Sequence, residues 1–317
     1  MSLTIGVDIG GTKILAGTVA EDGAIRATAR RPTPRQDPGA VLETVADVVS
    51  ELVAASTEPV EAVGAGVAGG VDAQRSRVYF APNLRWSQVP VRALLEASTG
   101  LPVVVENDGN AAAWGEYRFG AGRGTSDMVL VTVGTGIGGG IVIGGELFRG
   151  AHGAAAEIGH VTVVRGGRSC GCGRSGCWEQ YASGNALVRE ARELAAERRA
   201  QADLLLSLGD GTPEGISGPE VTEAARAGDP VAIEAFARVG TWLGHGLADL
   251  AAVLDPEVFV IGGGVSESGD LLLTSARQAL ADTLIGGSNR PAPAVRLAEL
   301  ANRAGLVGAA DLARDRA

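Results

Sequence analysis

The sequence predicts an α/β protein made of two related halves. Its 317 residues are too many for one small core, so two domains are expected. An apolar run, a glycine-rich turn and a second apolar run stand near the N-terminus, and a near-copy follows. The turns read DIGGTK (residues 8–13) and GTGIGGG (134–140), and Gly10 and Gly134 lie 124 residues apart. Elsewhere, strand-length apolar runs alternate with longer segments of helical length.

The elements follow in order. Residues 3–7 and 14–19 read as two strands around the first turn, and 40–54 as an amphipathic helix. Residues 60–67 read as a strand ending in AGGVD (68–72), a turn whose backbone, at Gly69, is placed to touch a ligand. Residues 103–105 form an apolar strand, Asn107 and Asp108 stand at its end, and 110–117 begin a helix. In the second half, 128–133 is a strand, 134–140 the turn and 141–143 the return strand. Residues 209–218 form a polar, glycine-rich loop with no legible chemistry, and 230–254 a long, mostly apolar helix. Strand 258–261 runs into GGGVSESG (262–269) and a helix over about 270–284. A closing helix over 301–316 is expected to return to the first half.

Composition narrows the function. The chain is 45% hydrophobic and 20% charged, ordinary for a globular protein. Its formal charge of −10 disfavours nucleic acid or an anionic membrane as main partner. The first residues lead straight into a strand with no charged-then-apolar leader, and no segment reaches the ~18 apolar residues of a membrane span. A cytoplasmic protein is expected. Lysine occurs once, at Lys13, a bias that leaves the charge work to arginine.

All three cysteines, Cys170, Cys172 and Cys177, fall in one short glycine-rich stretch, and His160 lies ten residues before it. Three thiolates and an imidazole make a full tetrahedral set for a structural zinc. An odd number of cysteines argues against a disulfide. Glu157 and Glu179 bracket the cluster with carboxylates that zinc does not require, so this loop presents polar groups to something else.

Glycine turns of this kind can wrap a phosphate, because backbone N–H groups converge where no Cβ interferes. No GxxxxGK[ST] loop occurs, and GTGIGG leads into a strand rather than the helix a dinucleotide fingerprint needs. The first turn also carries Asp8, Thr12 and Lys13; Thr12 offers a hydroxyl and Asp8 a carboxylate able to hold magnesium through water. Gly262, Gly263 and Gly264, between strand and helix, suit a nucleotide lying on bare backbone. The Asn107–Asp108 pair reads either as a helix cap or as a ligand site, since ligands collect at the carboxyl ends of strands in open α/β sheets. In the second reading Asp108 accepts a proton from a hydroxyl.

These motifs together resemble the ROK family of sugar kinases, and within it the bacterial glucokinases of the actinobacterial kind. The resemblance runs nearly the whole length, through DIGGTK, ENDGNAAAWGE (106–116), VTVGTGIGGG (131–140), EIGH (157–160), CGCGRSGCWE (170–179) and GGGVSE (262–267). It implies the actin-like, ribonuclease-H-like duplicated fold with ATP and sugar in an interdomain cleft. It suggests one domain of residues 1–108 plus 301–317 and another of 109–300 that carries the zinc loop. It implies ATP-dependent phosphorylation of the glucose 6-hydroxyl, with Asp108 as general base. Asn107, Asp108, Glu157, His160, Glu179 and Gly69 would bind the sugar. Asp8, Gly10, Gly11, Thr12, Lys13, Gly134, Thr135 and Gly136 would bind the phosphates with Mg2+. Gly262, Gly263 and Gly264 would bind the adenosine, and His160, Cys170, Cys172 and Cys177 the zinc. A homodimer or homotetramer is implied as well. Family members that repress transcription add an N-terminal DNA-binding module; here only seven residues precede DIGGTK, so that module is not expected. Kinases for mannose, fructose or N-acetylhexosamines, and a non-catalytic sugar sensor, are the remaining alternatives.

Overall fold

The computed structural model describes residues 2–34 and 37–314. The first half contains β1 (Leu3–Ile9), β2 (Lys13–Val19), β3 (Ile25–Pro32), α1 (Pro38–Ala55) and β4 (Val60–Val67). Three short strands follow, β5 (Gly70–Val71), β6 (Val78–Ala81) and β7 (Trp86–Val89), then α2 (Val91–Thr99), β8 (Val103–Asn107) and α3 (Asp108–Phe119). The second half opens with β9 (Met128–Val133), β10 (Ile137–Ile143) and β11 (Glu146–Leu147). Helices α4 (Glu179–Ala182), α5 (Gly184–Glu197), α6 (Asp203–Leu208), α7 (Gly218–Arg226) and α8 (Pro230–Leu254) come next. The chain closes with β12 (Val258–Gly262), α9 (Asp270–Thr283), β13 (Ala294–Leu297) and α10 (Ala304–Arg314).

The duplication is visible in the sheets. One is ordered β3-β2-β1-β4-β8 and the other β11-β10-β9-β12-β13, the same connectivity twice. In the first, β1, β2 and β3 form antiparallel hairpins, whereas β4 joins β1 and β8 joins β4 in parallel. The parallel strands read as apolar runs because helices cover both faces.

Contacts divide the chain into two units. The first comprises Met1–Leu130, Gly139–Ala156 and Ala298–Ala317, the second Val131–Gly138 and Glu157–Leu297. This division differs from boundaries at 108/109 and 300/301, because α3 packs along α10 and so stays with the first sheet. Glu116 of α3 reinforces that packing. Its fully buried carboxylate accepts the N–H groups of Ala121, Glu299 and Leu300, which offsets the cost of burying charge.

In the first unit one sheet face packs on α1 and α2 through Val41, Val45, Val48, Leu95 and the strand residues Ile5, Val7 and Val63. The other face receives α10 at unusually short range. A Cβ added at Gly6 would lie 1.9 Å from the Leu306 carbonyl oxygen, and one at Gly64 would lie 1.7 Å from that of Ala309. Glycine here is a packing requirement. The expected closing helix does return to this sheet, but it begins at Ala304 rather than 301, after a 3-10 turn over Ala301–Arg303; residues 315 and 316 lie outside the described residues.

In the second unit α9, α5, α7 and α4 pack on α8. Asp229, buried, caps α8 by accepting the N–H groups of Val231 and Ala232. One element differs from expectation: the second glycine turn is shorter, because β10 starts at Ile137 rather than 141. Gly140 belongs to that strand because α3 passes close by; a Cβ there would meet that of Ala113 at 2.4 Å.

Candidate active site

In the first unit the candidate residues gather at the carboxyl ends of three adjacent parallel strands. The register aligns Ile9 with Val67 and Val67 with Asn107, so Asp8, Gly69, Asn107 and Asp108 share one edge of the sheet. The DIGGTK turn is closed by the Gly10 N–H donating to the Lys13 carbonyl. Thr33, which the sequence did not single out, buttresses the turn. Its hydroxyl donates to the Gly10 carbonyl at 2.7 Å and its N–H to that of Thr12 at 3.1 Å. Gly11 packs over Asn83, and Thr12 is exposed. Burial pushes the Asp8 carboxyl above its usual range, and the Lys13 charge partly offsets this. A carboxylate held in that state gains from a cation, so the residue present fits a magnesium ion.

Asn107 performs both functions weighed for it. It is the N-cap of α3, its Oδ1 accepting the Asn110 N–H at 3.0 Å. Its Nδ2 donates to the Gly69 carbonyl and to Asp108 Oδ1, each at 3.1 Å. Asp108, the first residue of α3, also accepts the Gly109 N–H at 2.9 Å. Cap and ligand site are one structure, which anchors Oδ1 of the Asp108 carboxylate.

The second unit carries the other candidates. Cys170, Cys172, Cys177 and His160 have ligand atoms all within 4.8 Å of one another. The Cys172 and Cys177 sulfurs lie 3.6 Å apart, and His160 Nδ1 lies 3.7 Å from Cys170 Sγ. Tetrahedral zinc with bonds of 2.0–2.3 Å requires ligand separations of about 3.6–3.8 Å. The donor set fits the ion in chemistry, and these two separations match its spacing. Burial raises the Cys170 and Cys177 thiols; at Cys172 the Arg174 N–H and the neighbouring sulfurs outweigh burial and lower it. A metal would displace the remaining protons.

Glu179 links this cluster to the second glycine turn. Its Oε1 accepts the Cys170 thiol at 2.9 Å and lies 3.7 Å from His160 Nδ1, and its Oε2 sits 2.3 Å from where a Gly136 Cβ would be. Glu157 stands exposed one turn before His160. The turn itself is held by α5: the Gly184 N–H donates to the Gly134 carbonyl at 2.7 Å, and that of Asn185 to Thr135.

Beside it lies a cavity of ≈ 850 Å³, lined by Gly134, Thr135 and Gly264 and by the N-terminal residues of α5 and α7. Its size suits a nucleotide-like molecule, and the N-terminus of α5 suits an anion. Gly263 (φ 85°) packs on the Val133 backbone, while Gly262 completes β12. The α7 wall, with Gly218, Thr222 and Arg226, was missed. Its only sequence signal is the capping box from Ser217 to Glu220, which marks a helix start but no ligand.

Among the described residues no helix is long and apolar enough to cross a membrane. The ROK family model matches residues 4–316. The glucokinase of Streptomyces coelicolor is 54% identical over 99% of this chain and 98% of its own length. That of Halalkalibacterium halodurans is 38% identical over 96% and 92%. A crystal structure of a ROK family glucokinase from Streptomyces griseus, in complex with glucose and AMPPNP, superposes with a TM-score of 0.88 at 53% identity and covers 99% of both chains. Duplicated sheets, paired glycine turns, the capped Asn-Asp strand end and this match over nearly the full length lead to one assignment: the chain belongs to the ROK family.

Proposed function

We propose that this chain is a hexose kinase that transfers the γ-phosphoryl group of ATP to the 6-hydroxyl of glucose. The observation that carries the mechanism is Asp108, a carboxylate at a strand's carboxyl end whose orientation is set by Asn107 and the Gly109 N–H. The activity of the Streptomyces relatives supports the choice of reaction and sugar.

A sugar hydroxyl is a poor nucleophile. In this proposal Asp108 takes its proton as the bond to phosphorus forms, a role worth about 10²–10⁴ in rate. Phosphoryl transfer needs alignment and charge stabilisation more than covalent help. The backbone N–H groups of the turns at Gly10–Thr12 and Gly134–Gly136 provide alignment. Magnesium, held at Asp8, would neutralise phosphate charge when bound. Gly264 and the cavity walls take the nucleoside. Asn107, Gly69, Glu157, His160 and Glu179 bind the sugar's other hydroxyls. With Nδ1 turned to the sulfurs, His160 keeps Nε2 for a hydroxyl. Zinc would brace this loop when bound, away from the chemistry. A cytoplasmic homodimer or homotetramer completes the proposal, its size to be read by light scattering.

The test is ATP-dependent phosphorylation of glucose, mannose, fructose, N-acetylglucosamine and N-acetylmannosamine, compared by kcat/KM. Preference for glucose supports the proposal. Preference for another sugar overturns the substrate, and no turnover by zinc-loaded protein overturns the enzyme.

A further inference from the structure

Beneath the Asn107–Asp108 pair lies a charge cluster that the reaction as described leaves without a role. Glu106 ends the buried part of β8 with only 1% of its surface exposed. Its Oε2 faces two guanidinium groups, Arg75 Nε at 2.9 Å and Arg149 Nε at 2.7 Å. Its Oε1 accepts the Asn107 N–H at 2.9 Å and Asn110 Nδ2 at 3.1 Å. The two arginine side chains are 18% and 11% exposed, and both come from loops. Arg75 sits at a positive φ of 54°, and Arg149 donates to the Asp72 and Ala73 carbonyls.

Burying three charges is a poor route to stability, since apolar side chains of the same volume do as well or better. Such a cluster earns another explanation when one of its ends touches the reacting residues. Here Oε1 grips the backbone of Asn107 and the side chain of Asn110, the two ends of the cap that sets the Asp108 carboxylate. We propose that Glu106, clamped by Arg75 and Arg149, is the positioning residue that holds Asp108 in its reactive orientation. This inference rests on the reading of Asp108 as general base. Through the arginines, the loops around residues 72–77 and 149 become part of the alignment of the base. A misplacement of about 1 Å at a reacting group costs about 10²-fold in rate.

Glu106→Gln tests the idea with little change in volume. An amide must turn its NH2 either toward the Asn107 N–H or toward the arginines, and donors face it on both sides. The full-length, zinc-loaded chain is compared with Glu106→Gln, Asp108→Asn and the double variant, with kcat expressed per folded molecule. Glu106→Gln is expected to lower kcat by about 10- to 100-fold while KM for glucose moves less than about threefold. In the Asp108→Asn background the same change should cost less than about threefold, because the two residues act as one unit. Equal losses in both backgrounds, or a lower Tm with unchanged kcat, overturn the inference. The base assignment fails separately if Asp108→Asn alone retains turnover. Should Glu106→Gln not fold, Arg149→Lys keeps the charge but not the guanidinium fork, and wild-type kcat in that variant overturns the proposal equally.

Discussion

Replacing Gly64 by alanine tests the packing that sets the first unit's strand ends. The new Cβ would stand 1.7 Å from the Ala309 carbonyl oxygen and 2.3 Å from its carbon. A carbon and a carbonyl oxygen approach no closer than about 3.3 Å, so strand and helix must part by roughly 1.6 Å. Helix α10 has no free direction in which to move. On its other side a Cβ at Gly308 would lie 1.8 Å from the Ala111 oxygen of α3. Any shift also loosens the Leu306, Val307 and Ala310 cluster. A radial gap of about 1 Å forfeits up to about half of each dispersion contact it opens. Overpacking a core costs about 1–3 kcal/mol, and a backbone-to-backbone clash belongs at the upper end. For a domain of this size, about 3 kcal/mol lowers Tm by about 6–12 °C. Gly66, two residues on and on the same face of β4, is the matched control. Its added Cβ meets nothing nearer than the Ala111 Cβ at 3.5 Å, and Gly66→Ala should hold Tm within about 2 °C. Because a Cβ at Gly305 of α10 would lie 3.7 Å from the Asp8 carboxyl carbon, Gly64→Ala should also impair turnover in the folded fraction. The assay is thermal unfolding of the pair, followed by kinetics below the transition. Equal Tm values for the two variants would refute the argument.

Other outcomes follow from the same structure. Cys172→Ser should lower zinc content, measured by elemental analysis, and weaken glucose binding, because the ligands and Glu179 share one loop; full zinc occupancy with unchanged stability contradicts the metal site. Arg198 and Arg238 hold the Glu234 carboxyl below its usual value of 4.5. Its folded pKa being the lower one, the contribution is present above 4.5 and lost as pH falls through the folded value. Glu234→Gln should therefore cost less than about 1 kcal/mol at neutral pH and nothing in acid, and a gap in denaturation midpoint that persists in acid shows the sign to be wrong.

Much of this was legible in the sequence because its signals are local. The two glycine turns lie inside apolar runs, and three cysteines in one short stretch leave few readings. The Asn-Asp strand end was legible as a choice, cap or ligand site, and the structure shows one side chain doing both. What escaped is non-local. Nothing near Glu106 announces that Arg75 and Arg149 will reach it from separate loops. Gly305 and Gly308 of α10 read as weak helix formers, and only their neighbours on β1 and α3 explain them; Gly6 and Gly64 are explained in turn by α10. The extent of β10 was misjudged because Gly138, Gly139 and Gly140 look like a turn until α3 is packed against Gly139 and Gly140. The α7 wall of the cavity joins the Gly134 turn through tertiary packing alone.

The central claim is that Asp108 takes the proton from the sugar. The most direct measurement is single-turnover phosphorylation of glucose by Asp108→Ala, with the glucose dissociation constant measured on the same sample. Wild-type folding, glucose affinity within a few-fold of wild type, and a chemical step slowed by at least about 10²-fold are expected. Chemistry at near wild-type rate with glucose bound would contradict it.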